Sequence, residues 1–268
     1  MKSFNVVCGL PRSGSTLLCN VLNQNPEIHA SSTSIIATII NSTSHIISNS
    51  PEFKSLLIRN REDTEARVIS MMRSNVETWY SDKENVFDKS RVWASCSPLL
   101  KQLFPESLII CIVRDLRNIF ASIEKHHIKN PILDTSIDVL AKTIYNRADE
   151  LFSPGNLMGA SISGVEDLVR RKPDNLVFIR YEDFVVSPAK FIKEIYLRSE
   201  IKHFDHDYEN IKNTSEDVDE LWLNKFPHQG SGKVHITDPY EWRKYVSEDL
   251  ARLIMERYPF YNRSFNYL

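Results

Sequence analysis

Residues 4–22 read Phe-Asn-Val-Val-Cys-Gly-Leu-Pro-Arg-Ser-Gly-Ser-Thr-Leu-Leu-Cys-Asn-Val-Leu, and this stretch constrains the fold more than any other. A short apolar run breaks at a glycine loop and resumes with helical spacing, the pattern of a strand, a phosphate loop and a helix. Set against the nucleotide-binding pattern G-x-x-x-x-G-K-[ST], Gly9 to Thr16 match at both glycines and at the closing hydroxyl, while Ser15 stands where the lysine should be. Such a loop can cradle a phosphate but lacks the cation that reaches the far phosphates of ATP.

Amide N–H groups at a helix start have no intrahelical partner, and the helix dipole is positive there, so an anion at Arg12 to Thr16 meets backbone donors. Gly14 lets the backbone come close. Arg12 adds a planar fork suited to phosphate or sulfate oxygens, and Ser13, Ser15 and Thr16 add hydroxyls. The competing reading is an ordinary strand-to-helix turn capped by Ser13 or Ser15. Glycine usage favours the anion site: of only seven glycines in the chain, Gly9 and Gly14 fall at the required spacing.

A chain of 268 residues can bury a sizeable core, and it shows no internal repeat, linker or low-complexity segment, so one domain over residues 1–268 is expected. Lys plus Arg number 33 against 35 Asp plus Glu, a net charge of −2 that argues against a general nucleic-acid binder. Any anion site is then a local cluster of cations. Cys8, Cys19, Cys96 and Cys111 lack C-x-x-C spacing, and three lie in or beside apolar runs, which points to reduced thiols, a reducing compartment and no zinc site. No leader precedes the first strand and no apolar run approaches the roughly 18 residues of a membrane span, so a soluble cytoplasmic protein without a membrane partner is expected.

Further along, Leu17, Leu18, Val21 and Leu22 give the first helix a buried face. The hydroxyl-rich Ala30 to Ser34 should return beside the loop, either lining a pocket or capping a helix. Residues 51–82 read as two helices, with Pro51 in a first turn and Ala66, Ile69, Met72, Val76 and Trp79 as a core stripe. Asn85-Val86-Phe87 starts a short strand running into Asp88 to Trp93. If the backbone stays extended there, Lys89 and Arg91 point to one side, as site cations or as plain surface charges. Leu108 to Val113 is continuously apolar, as a strand covered on both faces would be, and it ends at Arg114. A helix from Leu116 to about His127 follows, carrying Ser122. Arg114 is a ligand-binding candidate because it closes a buried strand; the alternative is a salt bridge to Asp88 or Asp115.

Residues 135–172 have a helical pattern broken at 153–156, and 176–181 form another strand ending at Glu182-Asp183. Ser187-Pro188 opens a helix as cap and first-turn proline, and a last helix runs from about Ser247 to Tyr258. Alternating strands and helices indicate an α/β fold of three layers, with a central mainly parallel sheet and helices on both faces. The stretch 203–220 reads as acidic surface loop and short helix, with a metal site at His203, Asp205, His206 and Asp207 as the alternative. Gly230-Ser231-Gly232-Lys233 is a candidate lid or phosphate contact.

Three ordered stretches, 9–18, 113–122 (Val-Arg-Asp-Leu-Arg-Asn-Ile-Phe-Ala-Ser) and 179–184 (Ile-Arg-Tyr-Glu-Asp-Phe), resemble the sulfotransferase family that uses 3′-phosphoadenosine 5′-phosphosulfate (PAPS), in particular its bacterial and tyrosylprotein branches. The resemblance implies a sulfuryl transfer from PAPS to a hydroxyl or amine of a small-molecule, glycan or peptide acceptor. It implies that Arg12, Ser13, Gly14, Ser15 and Thr16 hold the 5′-phosphosulfate and that Arg114 and Ser122 hold the 3′-phosphate. Tyr181 is implied as a nucleotide contact, Lys89 with Arg12 as the catalytic cations at the sulfuryl group, and Lys233 as a weaker nucleotide contact. The tyrosylprotein branch carries a catalytic glutamate where this chain has Ser32-Thr33-Ser34, so no base is assigned by motif; His29, His45, His228 and His235 are the nearest histidines. Two alternatives follow: a nucleotide-binding protein without transfer activity, and a P-loop kinase or NTPase, which the absent lysine disfavours.

Overall fold

The computed structural model describes residues 1–129, 143–215, 217–219 and 230–267. In chain order its elements are β1 (Ser3–Gly9), α1 (Ser15–Leu22), β2 (Ile28–Ala30), α2 (Ile36–Asn49), α3 (Pro51–Arg59), α4 (Arg61–Trp79), β3 (Asn85–Lys89), α5 (Val92–Ser95), α6 (Ser97–Leu103), β4 (Ile109–Val113) and α7 (Leu116–Lys129). After the segment 130–142 come α8 (Ile144–Phe152), α9 (Leu157–Arg171), β5 (Leu176–Arg180), α10 (Tyr181–Val186), α11 (Pro188–Ser199), α12 (Glu248–Arg257) and α13 (Pro259–Ser264).

The strands form one parallel sheet in the order β2-β3-β1-β4-β5. Alternation along β1 sends Phe4, Val6 and Cys8 to one face, where α2, α4 to α9, α12 and α13 pack. Val7 goes to the other face, against α1, α10 and α11. Every residue of β4 is buried, which is why its sequence is continuously apolar; each such side chain contributes roughly 1.5–3 kcal/mol. The three-layer α/β expectation holds. Since β1 lies between β3 and β4, the chain reverses its direction of sheet building at β1. The carboxyl ends of β1, β3, β4 and β5 therefore surround one crevice, the place where open sheets bind ligands.

Several local expectations are corrected. The three residues of β2 pair with β3 and make an edge strand that the hydroxyl-rich composition of 28–50 concealed. The core face of α4 consists of Thr64, Met72 and Val76, continued by Tyr80 just past its end. Ala66 is exposed and Trp79 is 58% exposed, because the helix turns its face slightly away from the expected stripe. The backbone does not stay extended past Lys89: Arg91 has helical dihedrals and leads into α5. Tyr181 opens α10 instead of ending β5, and Ser187 precedes α11 without a side-chain capping bond. By contrast, Ser247 caps α12 through its hydroxyl, accepting from the Leu250 amide.

All four cysteines are buried free thiols. Burial pushes the Cys19 thiol up to about 12, so it is held protonated and inert. No helix among the described residues is long and apolar enough to cross a membrane.

Candidate active site

The loop after β1 is bent by three left-handed residues, Gly9 (φ 125°), Arg12 (φ 60°) and Gly14 (φ 94°). At Gly9 a side chain has no room: an added Cβ would lie 2.0 Å from the Ile112 carbonyl oxygen of β4. At Gly14 it would lie 2.4 Å from the Tyr181 ring. Gly14 also caps α1 without a side-chain bond, so the first-turn amides of α1 open toward the crevice. Ser13 is fully buried, and both its hydroxyl (2.6 Å) and its amide (3.3 Å) donate to the Leu10 carbonyl. Its role is to hold the loop closed.

A cleft of about 530 Å³ opens over this loop, within the range of ordinary ligand pockets. Its walls bring together Arg12, Gly14, Ser15 and Thr16 from the loop, Lys89 from the end of β3, Arg114 from the end of β4, and Tyr181 from α10. The hydroxyl segment returns as expected, with Thr33 and Ser34 on the wall. Arg91 and Thr38 line it as well.

The cations are tied together. Arg114 donates through Nη1 to the Arg12 carbonyl (3.0 Å), and its guanidinium lies 4.3 Å from the centre of the Tyr181 ring. Its backbone amide and carbonyl are both held by the hydroxyl of the buried Tyr261, at 3.2 and 2.9 Å. Arg12 reaches across through Nε to Ser122 Oγ at 3.3 Å. Ser122 thus meets Arg12 without lining the cleft itself. Burial, and then the neighbouring charge of Arg114, lower the pKa of Arg12, while Tyr181 and Asp219 oppose them. Two guanidinium groups held this close suit an anion between them.

Lys89 is buried, donates through Nζ to Thr16 Oγ1 at 3.1 Å, and its amide donates to Ser31 Oγ at 2.7 Å. Burial lowers its pKa. The alternative salt bridges of Arg114 do not form: Asp88 points to the other face of β3, and Asp115 pairs with Arg117 at 2.6 Å. Lys233 lines the cleft and pairs with Glu209 at 2.6 Å on an exposed rim. Behind it, Gly230 packs against the start of α1, its carbonyl accepting from Asn20 Nδ2 at 2.8 Å.

Of the candidate histidines, His235 lines the cleft, His29 on β2 lies tilted against the Tyr80 ring at 5.6 Å, His45 is exposed on α2, and His228 lies outside the described residues. The metal alternative at 203–207 gives way to packing: Tyr196 and His206 share a hydrogen bond (3.0 Å), and Tyr208 and Phe204 flank them. Among the described residues no group of three or more His, Cys, Asp or Glu could hold a metal ion.

A strand–glycine loop–helix unit with cations at the ends of the neighbouring parallel strands is the arrangement by which α/β sheets offer an anion site at their switch point. The model described as "Sulfotransferase family" matches residues 6–206, and the chain belongs to the sulfotransferase family. It is a transferase that moves a sulfuryl group. Similar folds include the sulfotransferase domain of the Synechococcus PCC 7002 olefin synthase, 16% identical over 96% of this chain and 94% of that one (TM-score 0.53). The sulfotransferase domain from the curacin biosynthetic pathway is 16% identical over 96% and 97% (TM-score 0.52). Mouse sulfotransferase SULT7A1, solved in complex with PAP, is 15% identical over 98% and 85% (TM-score 0.53). At such identities the likeness concerns the fold. No curated protein matches the chain.

Proposed function

We propose that the cleft binds PAPS and that the chain transfers its sulfuryl group to a hydroxyl or amine acceptor. The observation that carries this reading is the convergence on one cleft of the lysine-free glycine loop with Lys89, Arg114 and Tyr181, in a chain of the sulfotransferase family. The first-turn amides of α1, with Arg12, Ser15 and Thr16, hold the 5′-phosphosulfate; Ser13 and Gly14 give the loop its shape. Arg114 and Ser122 serve the 3′-phosphate, with Arg12 bridging the two sites through its bond to Ser122. Tyr181, already stacked on Arg114, contacts the nucleotide, and Lys233 adds a cation at the rim. The PAP bound to the mouse relative is the product such a donor leaves.

Transfer of a sulfuryl group needs in-line geometry and positive charge where the leaving oxygen develops its own, and it needs little covalent help from the protein. Lys89 and Arg12 provide that charge from a partly dry site. The serine at position 15 is then fitting, because no γ-phosphate has to be reached.

Adenosine 3′,5′-bisphosphate (PAP) is expected to raise the melting temperature without magnesium, and Arg114→Ala to abolish the rise. Thermal denaturation over a PAP titration measures both. The absence of any shift for the unaltered chain would overturn the donor assignment.

A further inference from the structure

The donor site makes no use of Asp88. This carboxylate is fully buried on β3, next in sequence to Lys89 and facing the opposite side of the sheet. It accepts from the Tyr80 hydroxyl and from Trp93 Nε1, both at 2.6 Å, and among the described residues it makes no ion pair. A buried charge held only by neutral donors is costly. Its position suggests what keeps it there. Ser34 stands beside both Asp88 and Tyr80, and it lines the cleft together with Lys89. The Ser34 oxygen accepts from the Ile36 amide at 3.0 Å, which orients the hydroxyl and leaves its proton free for another acceptor. Tyr80 has committed its own proton to Asp88. Ser31, three residues before Ser34, accepts from the Lys89 amide, so the segment is fastened to the strand that carries the lysine.

We propose that Ser34 and Asp88 together take the acceptor's proton, Ser34 touching the acceptor hydroxyl and Asp88 acting through it. The inference rests on the PAPS reading above and supplies the base that no motif assigns. As the acceptor oxygen bonds to sulfur, the bond between sulfur and the bridging oxygen breaks, and its electron pair leaves with the bisphosphate. The acceptor proton passes to Ser34 Oγ while the Ser34 proton passes to Asp88. Ser34 ends unchanged. Asp88 ends as a carboxylic acid and loses its proton to water when product leaves.

The direction of the Asp88 pKa suits this role. Burial raises it, and the hydrogen bonds from Ser34, Tyr80 and Trp93 pull it back by favouring the charged form. The group therefore titrates above the ordinary aspartate value of about 3.9. Activity should fall as pH drops through that raised value. The titratable and charged groups around Asp88 are Tyr80 at the end of α4, His29 on β2, and Lys89 and Cys19 on the opposite side of the strand. His29 is the group that could mimic such an acid limb.

The test uses the full chain with radiolabelled PAPS and a mixed metabolite extract as the source of hydroxyl acceptors. Ser34→Ala and Asp88→Asn are each expected to lower transfer about 100-fold while PAP stabilises both variants as it does the unaltered chain. Ser34→Thr should retain most of the rate. Asp88→Asn should lose the acid limb of the pH profile, and His29→Gln should keep it. Transfer by Ser34→Ala within about threefold of the unaltered rate would overturn the proposal. So would an acid limb that survives in Asp88→Asn or disappears in His29→Gln. Should Asp88→Asn not fold, Ser34→Ala and Ser34→Thr, altered on the cleft wall, decide alone. A chain that PAP does not stabilise fails at the donor site, whereas one that PAP stabilises but that transfers nothing overturns this inference and leaves the donor reading standing.

Discussion

Lys89→Met will lower sulfuryl transfer by roughly 10²- to 10³-fold, the range seen when one preorganised donor to a developing negative charge is removed. Nucleotide binding should survive. Lys89 is buried at the end of β3, bonded to Thr16 Oγ1, and aimed into the cleft above the first turn of α1. Methionine keeps the length and apolar stem of the side chain and removes only the ammonium. The variant should also melt no lower than the unaltered chain, since a desolvated charge is being taken away. Single-turnover transfer from labelled PAPS, set beside the PAP-induced melting shift, separates the two effects. A loss of transfer no larger than the loss of PAP affinity would assign Lys89 to holding the donor, with no special part in the reaction.

The same burial fixes a pH dependence. Because Lys89 has a lowered pKa in the folded chain, it releases its proton below the ordinary lysine value of about 10.4. Transfer needs the charged form, so the alkaline limb of the rate should fall at a lower pH than an exposed lysine would give, and it should vanish in Lys89→Met. Stability moves the other way. Between the lowered value and about 10.4 the unfolded chain binds a proton that the folded chain has released, so without nucleotide the fold gains stability as pH rises through that window.

What could be read from the residues alone depended on how far apart the partners lie in the chain. The loop of 9–16 and the strand of 109–113 were legible because a glycine spacing and a continuous apolar run are local signals. The edge strand Ile28–Ala30 was not, since three residues carry no period and its pairing with β3 comes from a segment more than fifty residues away. Tyr181 has the letter of a strand residue, yet tertiary context places it at the start of a helix, with its ring against Gly14. Arg114 was legible as the close of a buried strand; its bonds to the Arg12 carbonyl and to Tyr261 were not. Asp88 illustrates the limit. The sequence offered it as a salt-bridge partner for Arg114, and only the alternation of β3 turns it to the far face of the strand from Lys89, toward Tyr80 and Trp93.

A glycine series gives the largest expected effect on stability and separates the loop's two structural demands. Gly9→Ala places a Cβ 2.0 Å from the Ile112 carbonyl oxygen at a φ of +125°. It must displace β4 in the middle of the sheet or distort the loop, since the obstacle is backbone. Strain and overpacking together should cost about 4 kcal/mol, a drop in melting temperature on the order of 10 °C for a chain of this size. Gly14→Ala is also left-handed, at +94°, but its Cβ meets the Tyr181 ring at 2.4 Å, and a ring can swing away. The fold should therefore persist at a cost of about 1–3 kcal/mol. The displaced ring would release the Arg114 guanidinium stacked on it and weaken PAP binding by about tenfold or more. Gly155→Ala is the control: nothing lies within 4 Å of its Cβ, so its stability should stay within about 0.5 kcal/mol of the unaltered chain. If Gly9→Ala melted with Gly155→Ala, β4 would not be pinning the loop. If Gly14→Ala bound PAP normally, the contact between Tyr181 and the loop would have no part in shaping the donor site.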